Sequence, residues 1–461
     1  MSTYALTNTN TGEVEQTFES LKKSEIPGII NAADQAFETW RKKPLTDRAA
    51  SLTKAAAIFR ERKDELAAII GKEMGKIVGE ATWEVELVAD IFDWYADRAE
   101  ELLADEILEA KGAPKNLVRH TPMGVLLGVM PWNFPYYQLA RFAAPNLLLG
   151  NAVLIKQASI CPVSSAEFEK ILNEAGFTPG VYQNLYLNSE DVETVIEDFR
   201  IKGVSVTGSE RAGVSVATAA AKNLKKSVME LGGNDPAVVL GDIKDVPAIA
   251  EKLTRLRFSN SGQVCISPKR VIVVEDIYDE FVEAAKKVTE NFRVGDSADP
   301  ETEMGPLSSE AARDEVVARI EQAVKDGATL HAGGKKLDRP GWFMSPALLT
   351  DVDFDADLSC NELFGPALVV YKVKDEKEAI EFANQSEYGL QASVWTEDVE
   401  HGFELADQIV TGMALVNEHL VTQEDLPFGG INKSGYGREL TQWGLFEFSN
   451  EKLLRGGPIN R

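Results

Sequence analysis

The chain has 461 residues, 44% of them hydrophobic and 26% charged, which is too long for one ordinary core and predicts two or more domains. Against 48 Lys+Arg stand 73 Asp+Glu, a formal net charge of −25, and such a surface repels phosphate backbones and anionic lipid, which argues against nucleic-acid and membrane partners. The amino terminus shows no secretory signal, the apolar stretch 139–155 is broken by Arg141, Pro145, Asn146 and Gly150, and Cys161, Cys265 and Cys360 make no metal-ligand spacing, so a cytoplasmic, reduced, metal-free protein is expected.

In chain order, residues 27–43, 45–72 and 80–103 carry apolar side chains at three-and-four spacing and predict amphipathic helices, the third with Trp83, Leu87, Ile91 and Trp94 on one stripe. From about residue 117 short apolar runs ("GVLLGVM", "AVLIK", "QNLYL", "GVSVTGS", "SVMEL", "PAVVL") alternate with helical segments at 164–175 and 211–222. Strands bounded by Gly or Pro and separated by helices predict a parallel sheet covered on both faces. A second alternating block follows residue 245, with strands "RVIVV", "ALVVYKV" and "QASVW" between helices at 276–292, 308–325, 376–384 and 399–408. Residues 112–122 and the tail after about 432 fit neither block.

The stretch "SNSGQVCISPK" (259–269) sets Cys265 at the end of a small, polar turn, whereas an inert cysteine usually sits among aliphatic residues. "PWNFP" (131–135) puts the Asn133 amide between two prolines at the end of a strand, where α/β ligands bind. "MELGGND" (229–235) puts Glu230 in apolar company, as a buried general base with a raised pKa would be. No G-x-G-x-x-G occurs, but Gly208-Ser209 and Gly213 flank a helix start whose N–H groups can hold a pyrophosphate, or which Ser209 simply caps. Nucleophile, oxyanion donor and base together describe cysteine acyl transfer. Cys161 and Cys360 are read as buried structural residues, and His120, His331, His401 and His419 as surface or packing residues.

"PWNFP", "TGS" with Gly213, "MELGGND", "SGQVC", "ELFGP" (362–366) and "LPFGGINKSGYGREL" (426–440) follow one another in an order that resembles the aldehyde dehydrogenase superfamily over nearly the whole chain. Within it the chain is most similar to the shorter bacterial succinate-semialdehyde dehydrogenases. The resemblance implies an α/β fold with a Rossmann-type cofactor domain (1–111 and 123–231), an α/β catalytic domain (232–431) and a β-flap (112–122 and 432–461) that builds a homodimer or homotetramer. It implies Cys265 as nucleophile, Asn133 with the Cys265 N–H as oxyanion hole, and Glu230 as general base. Trp132, Lys156, Ser159, Gly208, Ser209, Gly213, Leu231, Glu362 and Phe364 would surround NADP or NAD. A cofactor-free cysteine hydrolase would need neither the Gly208 turn nor Lys156, and other aliphatic or aromatic aldehydes are the alternative substrates.

The resemblance also implies that Arg141 grips the distal carboxylate of a semialdehyde; the alternative reading of Arg141 is a structural ion-pair partner. Ser259 stands where a second Arg is expected, and Gln423, Glu424 and Asp425 stand where a serine is expected. In "LIKQAS" (154–159), Ser159 replaces the glutamate that NAD-preferring relatives often carry, so NADP is expected to be favoured.

Overall fold

A computed structural model describes residues 4–112 and 114–458. Residues 1–3, in the expected cofactor domain, and 113 and 459–461, in the expected flap, lie outside the described residues.

The first sheet has six strands, in the spatial order Gly435–Tyr436, Lys226–Glu230, Ile201–Thr207, Val125–Val129, Ala152–Lys156, Tyr182–Asn184. All neighbours are parallel except Gly435–Tyr436, which runs antiparallel to Lys226–Glu230. From Val125–Val129 the chain winds outward through two strands, then returns to lay Ile201–Thr207 on the other side. Between these two strands lies the switch point of the sheet, and α/β sheets bind ligands beyond the carboxyl ends there.

The second sheet has seven strands, ordered Thr329–Ala332, Ala347–Thr350, Ala367–Val373, Arg270–Val274, Pro236–Val239, Gln391–Trp395, Met413–Val416. Its central strands read as continuous apolar runs because both faces are covered. Val238 and Ile272 pack into one core cluster, while Ala237, Val239, Val271 and Val273 pack into the opposite one, the two-residue period of a strand. Residues 231–235 join the carboxyl end of Lys226–Glu230 to the amino end of Pro236–Val239, so the two sheets meet end to end at this link.

Several expectations are corrected. The run 45–72 is two helices, Leu45–Glu61 and Lys63–Met74, broken at Arg62, whose guanidinium pairs with Glu65 and Glu167. Helix 80–103 is Val78–Asp97 followed by Ala99–Leu102, and Trp83 lies 46% exposed. The strand from "PAVVL" belongs to the second sheet. In the expected flap, Lys115–Pro122 does pair with Ser449–Gly456, but Glu106–Ile107 completes this small sheet from outside the expected range. Within 432–461, Gly435–Tyr436 leaves the flap to pair with the first sheet, since its partner Lys226–Glu230 otherwise has an open edge. The hairpin Tyr4–Asn8 with Glu13–Phe18 has no counterpart in the apolar pattern. Among the described residues no helix is long and apolar enough to cross a membrane.

Candidate active site

The turn before Cys265 is built from backbone that ordinary side chains avoid. Asn260, Ser261 and Gly262 follow one another at φ +49°, +54° and +73°, and left-handed residues with a Cβ cost about 1–2 kcal/mol each. Polar side chains hold it there. The Glu80 carboxylate accepts from the Ser259 hydroxyl at 2.6 Å and from the Asn260 N–H at 2.9 Å. Asn260 Nδ2 donates to the Asn133 carbonyl at 2.9 Å, and Ser261 Oγ to the Gly305 carbonyl at 2.9 Å. At Gly262 a Cβ would sit 2.3 Å from the Gly365 backbone, so only glycine fits. The small polar residues thus brace the turn rather than bare the thiol to open water, and Cys265 itself is partly buried. Burial pushes its thiol up to about 12, opposed first by Lys269 and then by Arg141.

The "PWNFP" loop leaves the carboxyl end of Val125–Val129, at the switch point. Two buried ions brace it. Glu84 accepts from the backbone N–H groups of Tyr136 at 2.8 Å and Tyr137 at 3.1 Å. Lys76, ion-paired with Glu84, donates to the Asn133 carbonyl at 2.9 Å and lies 3.6 Å from the Phe134 ring centroid. Asn133 Nδ2 is thereby set against the nucleophile's turn, donating to the Gln263 carbonyl at 3.1 Å and keeping a second hydrogen for another acceptor.

Glu230 ends the strand Lys226–Glu230, two strands away from Val125–Val129 in the same sheet, and is fully buried. Neither of its carboxylate oxygens has a hydrogen-bond partner among the described residues. Burial holds its pKa well above the usual carboxylate range, with Arg141 acting against the rise.

Two cavities meet at Cys265. One, of about 260 Å³, is lined by Trp132, Asn133, Gly208, Ser209, Glu230, Leu231, Glu362 and Phe364 together with Cys265. The other, of about 300 Å³, is walled by Trp83, Phe134, Tyr137, Val264, Ile266 and Phe428, again with Cys265, and holds Arg141 and Glu80. Arg141 is committed within the protein: its Nε pairs with buried Glu439, Nη1 donates to Tyr137 Oη at 3.2 Å and Nη2 to Thr207 Oγ1 at 3.3 Å.

Lys156, Ser159 and Gly213 line neither cavity. Lys156 closes its strand, with burial lowering its pKa, and Ser159 lies in the following turn, its carbonyl accepting from the Ala5 N–H. Gly213 has a packing role: a Cβ there would stand 2.7 Å from both Leu231 methyls, so the glycine lets the helix Glu210–Lys222 approach Leu231. Ser209 does cap that helix, accepting from the Ala212 N–H, while it also lines the cavity. Cys161 is buried, but Cys360 is exposed, against expectation, because its short helix Asp357–Cys360 lies at the surface.

The sequence reading missed Glu80, Lys76, Glu84, Tyr137, Thr422, Lys269 and Glu439. Thr422, next to Gln423, Glu424 and Asp425, places a hydroxyl at the second cavity and bonds Tyr137 Oη at 2.7 Å. Tyr137 stands one helical turn before Arg141, the one signal that spacing offered.

The residues present fit a dinucleotide. A Cβ placed on Gly208 would meet nothing nearer than 4.0 Å, which leaves room beside a helix N-terminus, and the aromatic rings of Trp132 and Phe364 stand edge to face at 5.7 Å in the same cavity.

The aldehyde dehydrogenase family profile matches residues 1–454. A succinate-semialdehyde dehydrogenase [NADP(+)] of Deinococcus radiodurans is 46% identical over 99% of this chain and 96% of its own length. Another from Mycobacterium tuberculosis is 40% identical over 98% of this chain and 99% of its own. The crystal structure of succinic semialdehyde dehydrogenase from Streptococcus pyogenes in complex with NADP+ superposes with a TM-score of 0.96 at 42% identity, covering 99% of this chain and 100% of that one.

Proposed function

This chain belongs to the aldehyde dehydrogenase family, and from that premise we propose that it oxidises succinate semialdehyde to succinate, with NADP preferred over NAD. The observation that carries the reading is the position of Cys265 between an apolar cavity and one lined by a dinucleotide-compatible set.

Aldehyde enters the apolar cavity, and the Cys265 sulfur adds to its carbonyl to give a thiohemiacetal. The thiol is protonated at rest, so its proton has to leave as the C–S bond forms; Glu230 lines the other cavity that Cys265 shares and takes it, directly or through water. The oxyanion is met by the free hydrogen of Asn133 Nδ2 and the Cys265 N–H; one such donor is worth about 3–4 kcal/mol of barrier. When bound, the nicotinamide supplies the hydride acceptor. Cys265 is then a thioester, and Glu230, once it has released the thiol proton to solvent, removes a proton from the water that hydrolyses the thioester. A carboxylate without hydrogen-bond partners is suited to this, because nothing competes for the proton. Arg141, with Tyr137 and Thr422 beside it, receives the distal carboxylate. The apolar wall and the Arg141–Glu439 pair favour a second reading, uncharged aliphatic or aromatic aldehydes.

The first sheet would serve as cofactor domain and the second as catalytic domain. The small sheet, with Ile107 and Leu453 75% and 60% exposed, supports a homodimer or homotetramer, and the free Cys161, Cys265 and Cys360 support a reducing, cytoplasmic setting. A steady-state panel of aldehydes with NADP and NAD tests the proposal, with Cys265→Ala as control. Higher kcat/KM for succinate semialdehyde than for uncharged aldehydes of similar length supports it. Turnover persisting in Cys265→Ala sinks the mechanism, and preference for uncharged aldehydes sinks the substrate.

A further inference from the structure

Lys269 lies four residues beyond Cys265, with its side chain 2% exposed, and no motif marked it. Its ammonium donates to the Val264 carbonyl at 2.9 Å and to the Cys265 carbonyl, and it pairs with Glu362 at 2.9 Å. Glu362 faces the same cavity as Cys265. A buried lysine is costly unless its hydrogens and charge are matched, and here one carboxylate and two carbonyls match them. All three acceptors are parts of the site: two are the peptide groups that carry the sulfur, and the third is a residue of the cofactor cavity.

The groups around this ammonium are few. Asp235 is buried beside it, its carboxyl pushed up to about 8 by burial, with Lys269 the first influence in the other direction. The imidazole of His419 is pushed down to about 3 by burial and by Lys269, and its Nδ1 bonds Ser393 Oγ at 2.7 Å. Around the sulfur itself, Lys269 and Arg141 favour the thiolate, while Glu362 and Asp235 oppose it. Arg141 already faces Glu439, which leaves Lys269 as the cation fastened directly to the nucleophile's own backbone.

We propose that Lys269 is a positioning residue for the nucleophile, its single ammonium fixing the Cys265 peptide and the Glu362 carboxylate together and lending the sulfur a positive charge that Glu362 partly cancels. This rests on the reading of Cys265 as nucleophile. It makes the two partners of one ion pair act on the sulfur in opposite directions. Removing the ammonium leaves Glu362 and Asp235 to disfavour thiolate; removing the Glu362 carboxylate leaves only Asp235 to oppose the ammonium. A residue that merely packed the turn would not produce that reversal.

The test is the rate of Cys265 alkylation by iodoacetamide against pH, read by mass spectrometry of the Cys265 peptide so that exposed Cys360 does not interfere. Thiolate is the reacting species, so the mid-point of the profile reports its formation. In Lys269→Met the mid-point is expected to rise by about one pH unit, a roughly tenfold slower reaction below it. In Glu362→Gln it is expected to fall, and Lys269→Arg is expected to restore most of the wild-type profile. In Lys269→Met the Kd for NADP, measured by calorimetry, should also weaken several-fold because Glu362 loses its anchor. An unmoved mid-point in Lys269→Met, or movement in the same direction in both variants, overturns the proposal. Should Lys269→Met not fold, Glu362→Gln decides alone, since its mid-point must fall. Alkylation needs no turnover, so these failures leave aldehyde oxidation standing, whereas turnover in Cys265→Ala would remove the premise itself.

Discussion

Arg141 and Glu439 form an ion pair buried from solvent in the wall of the cavity that Cys265 shares, with Phe428 packed 4.4 Å from the guanidinium. The pair comes from two parts of the chain far apart. Arg141 sits on the helix Tyr137–Leu149, and Glu439 arrives with the tail that adds Gly435–Tyr436 to the first sheet. A carboxylate substrate therefore meets an arginine whose charge is already balanced on one side, and it must be held by the remaining guanidinium hydrogens with Tyr137 and Thr422.

That balance shapes the first prediction. Arg141→Leu alone leaves Glu439 buried without its partner, which typically costs 3–5 kcal/mol, so lost activity would not separate binding from folding. Arg141→Leu with Glu439→Gln removes both charges and should recover most of the thermal stability. In the double variant kcat/KM for succinate semialdehyde should fall about tenfold to a hundredfold further than for an uncharged aldehyde, the worth of a charge-assisted contact, because the influence of Arg141 on Cys265 and Glu230 is common to both substrates. Equal losses for the two aldehydes would make Arg141 a structural residue only.

Glu230→Gln keeps the shape of the side chain and removes the base. A burst of NADPH followed by a much slower steady state is expected, with thioester accumulating on Cys265. Because burial raises the proton affinity of Glu230, the wild-type deacylation rate should climb as pH rises through that elevated pKa, and the variant should lose the climb. Rapid-quench measurements at several pH values read both effects; a variant with an unaltered steady state would exclude the role.

Ser159 governs the cofactor prediction. In the proposed cofactor site a glutamate there would set a negative charge against a 2′-phosphate, and two unit charges 4 Å apart at an effective dielectric of about 20 interact by roughly 4 kcal/mol, near a thousandfold. The neutral serine offers no such barrier, so NADP should be used better than NAD, and Ser159→Glu should reverse the preference. The ratio of kcat/KM values for the two cofactors checks it, and a wild-type ratio well in favour of NAD would overturn it.

Glu73 gives a prediction on stability. It is buried, its Oε1 accepts from the Val163 and Ser164 N–H groups at the start of the helix Pro162–Glu174, and burial pushes its pKa from 4.5 up to about 8. The folded state thus holds this proton more tightly than the unfolded chain does. The resulting stability is complete below pH 4.5 and is lost as pH rises towards and through about 8. Glu73→Gln keeps the acceptor without the titration, so its melting temperature should gain on that of the wild type between about pH 4.5 and pH 8. Parallel curves across that range would show that Glu73 does not titrate there.

Read by itself, the amino-acid sequence determined the alternation of strands and helices, the two sheets, and the positions of Cys265, Glu230 and Asn133. Those signals are local: apolar runs bounded by glycine and proline mark strands buried on both faces, and each of these three residues sits inside a short motif. The tertiary structure alone decided what stands beside them. Lys269 with Glu362, Arg141 with Glu439, Lys76 with Glu84, and Glu80 with Ser259 are pairs of charged or polar residues, which on any single segment read as ordinary solvated surface. The strand Gly435–Tyr436 has too few residues to show a period, yet its pairing brings Glu439 to the site. Ion pairs and hydrogen bonds act over a few ångströms and carry no sequence period, so their partners are chosen by the path of the chain, and burial, which sets the protonation of Cys265 and Glu230, exists only once the two sheets have met.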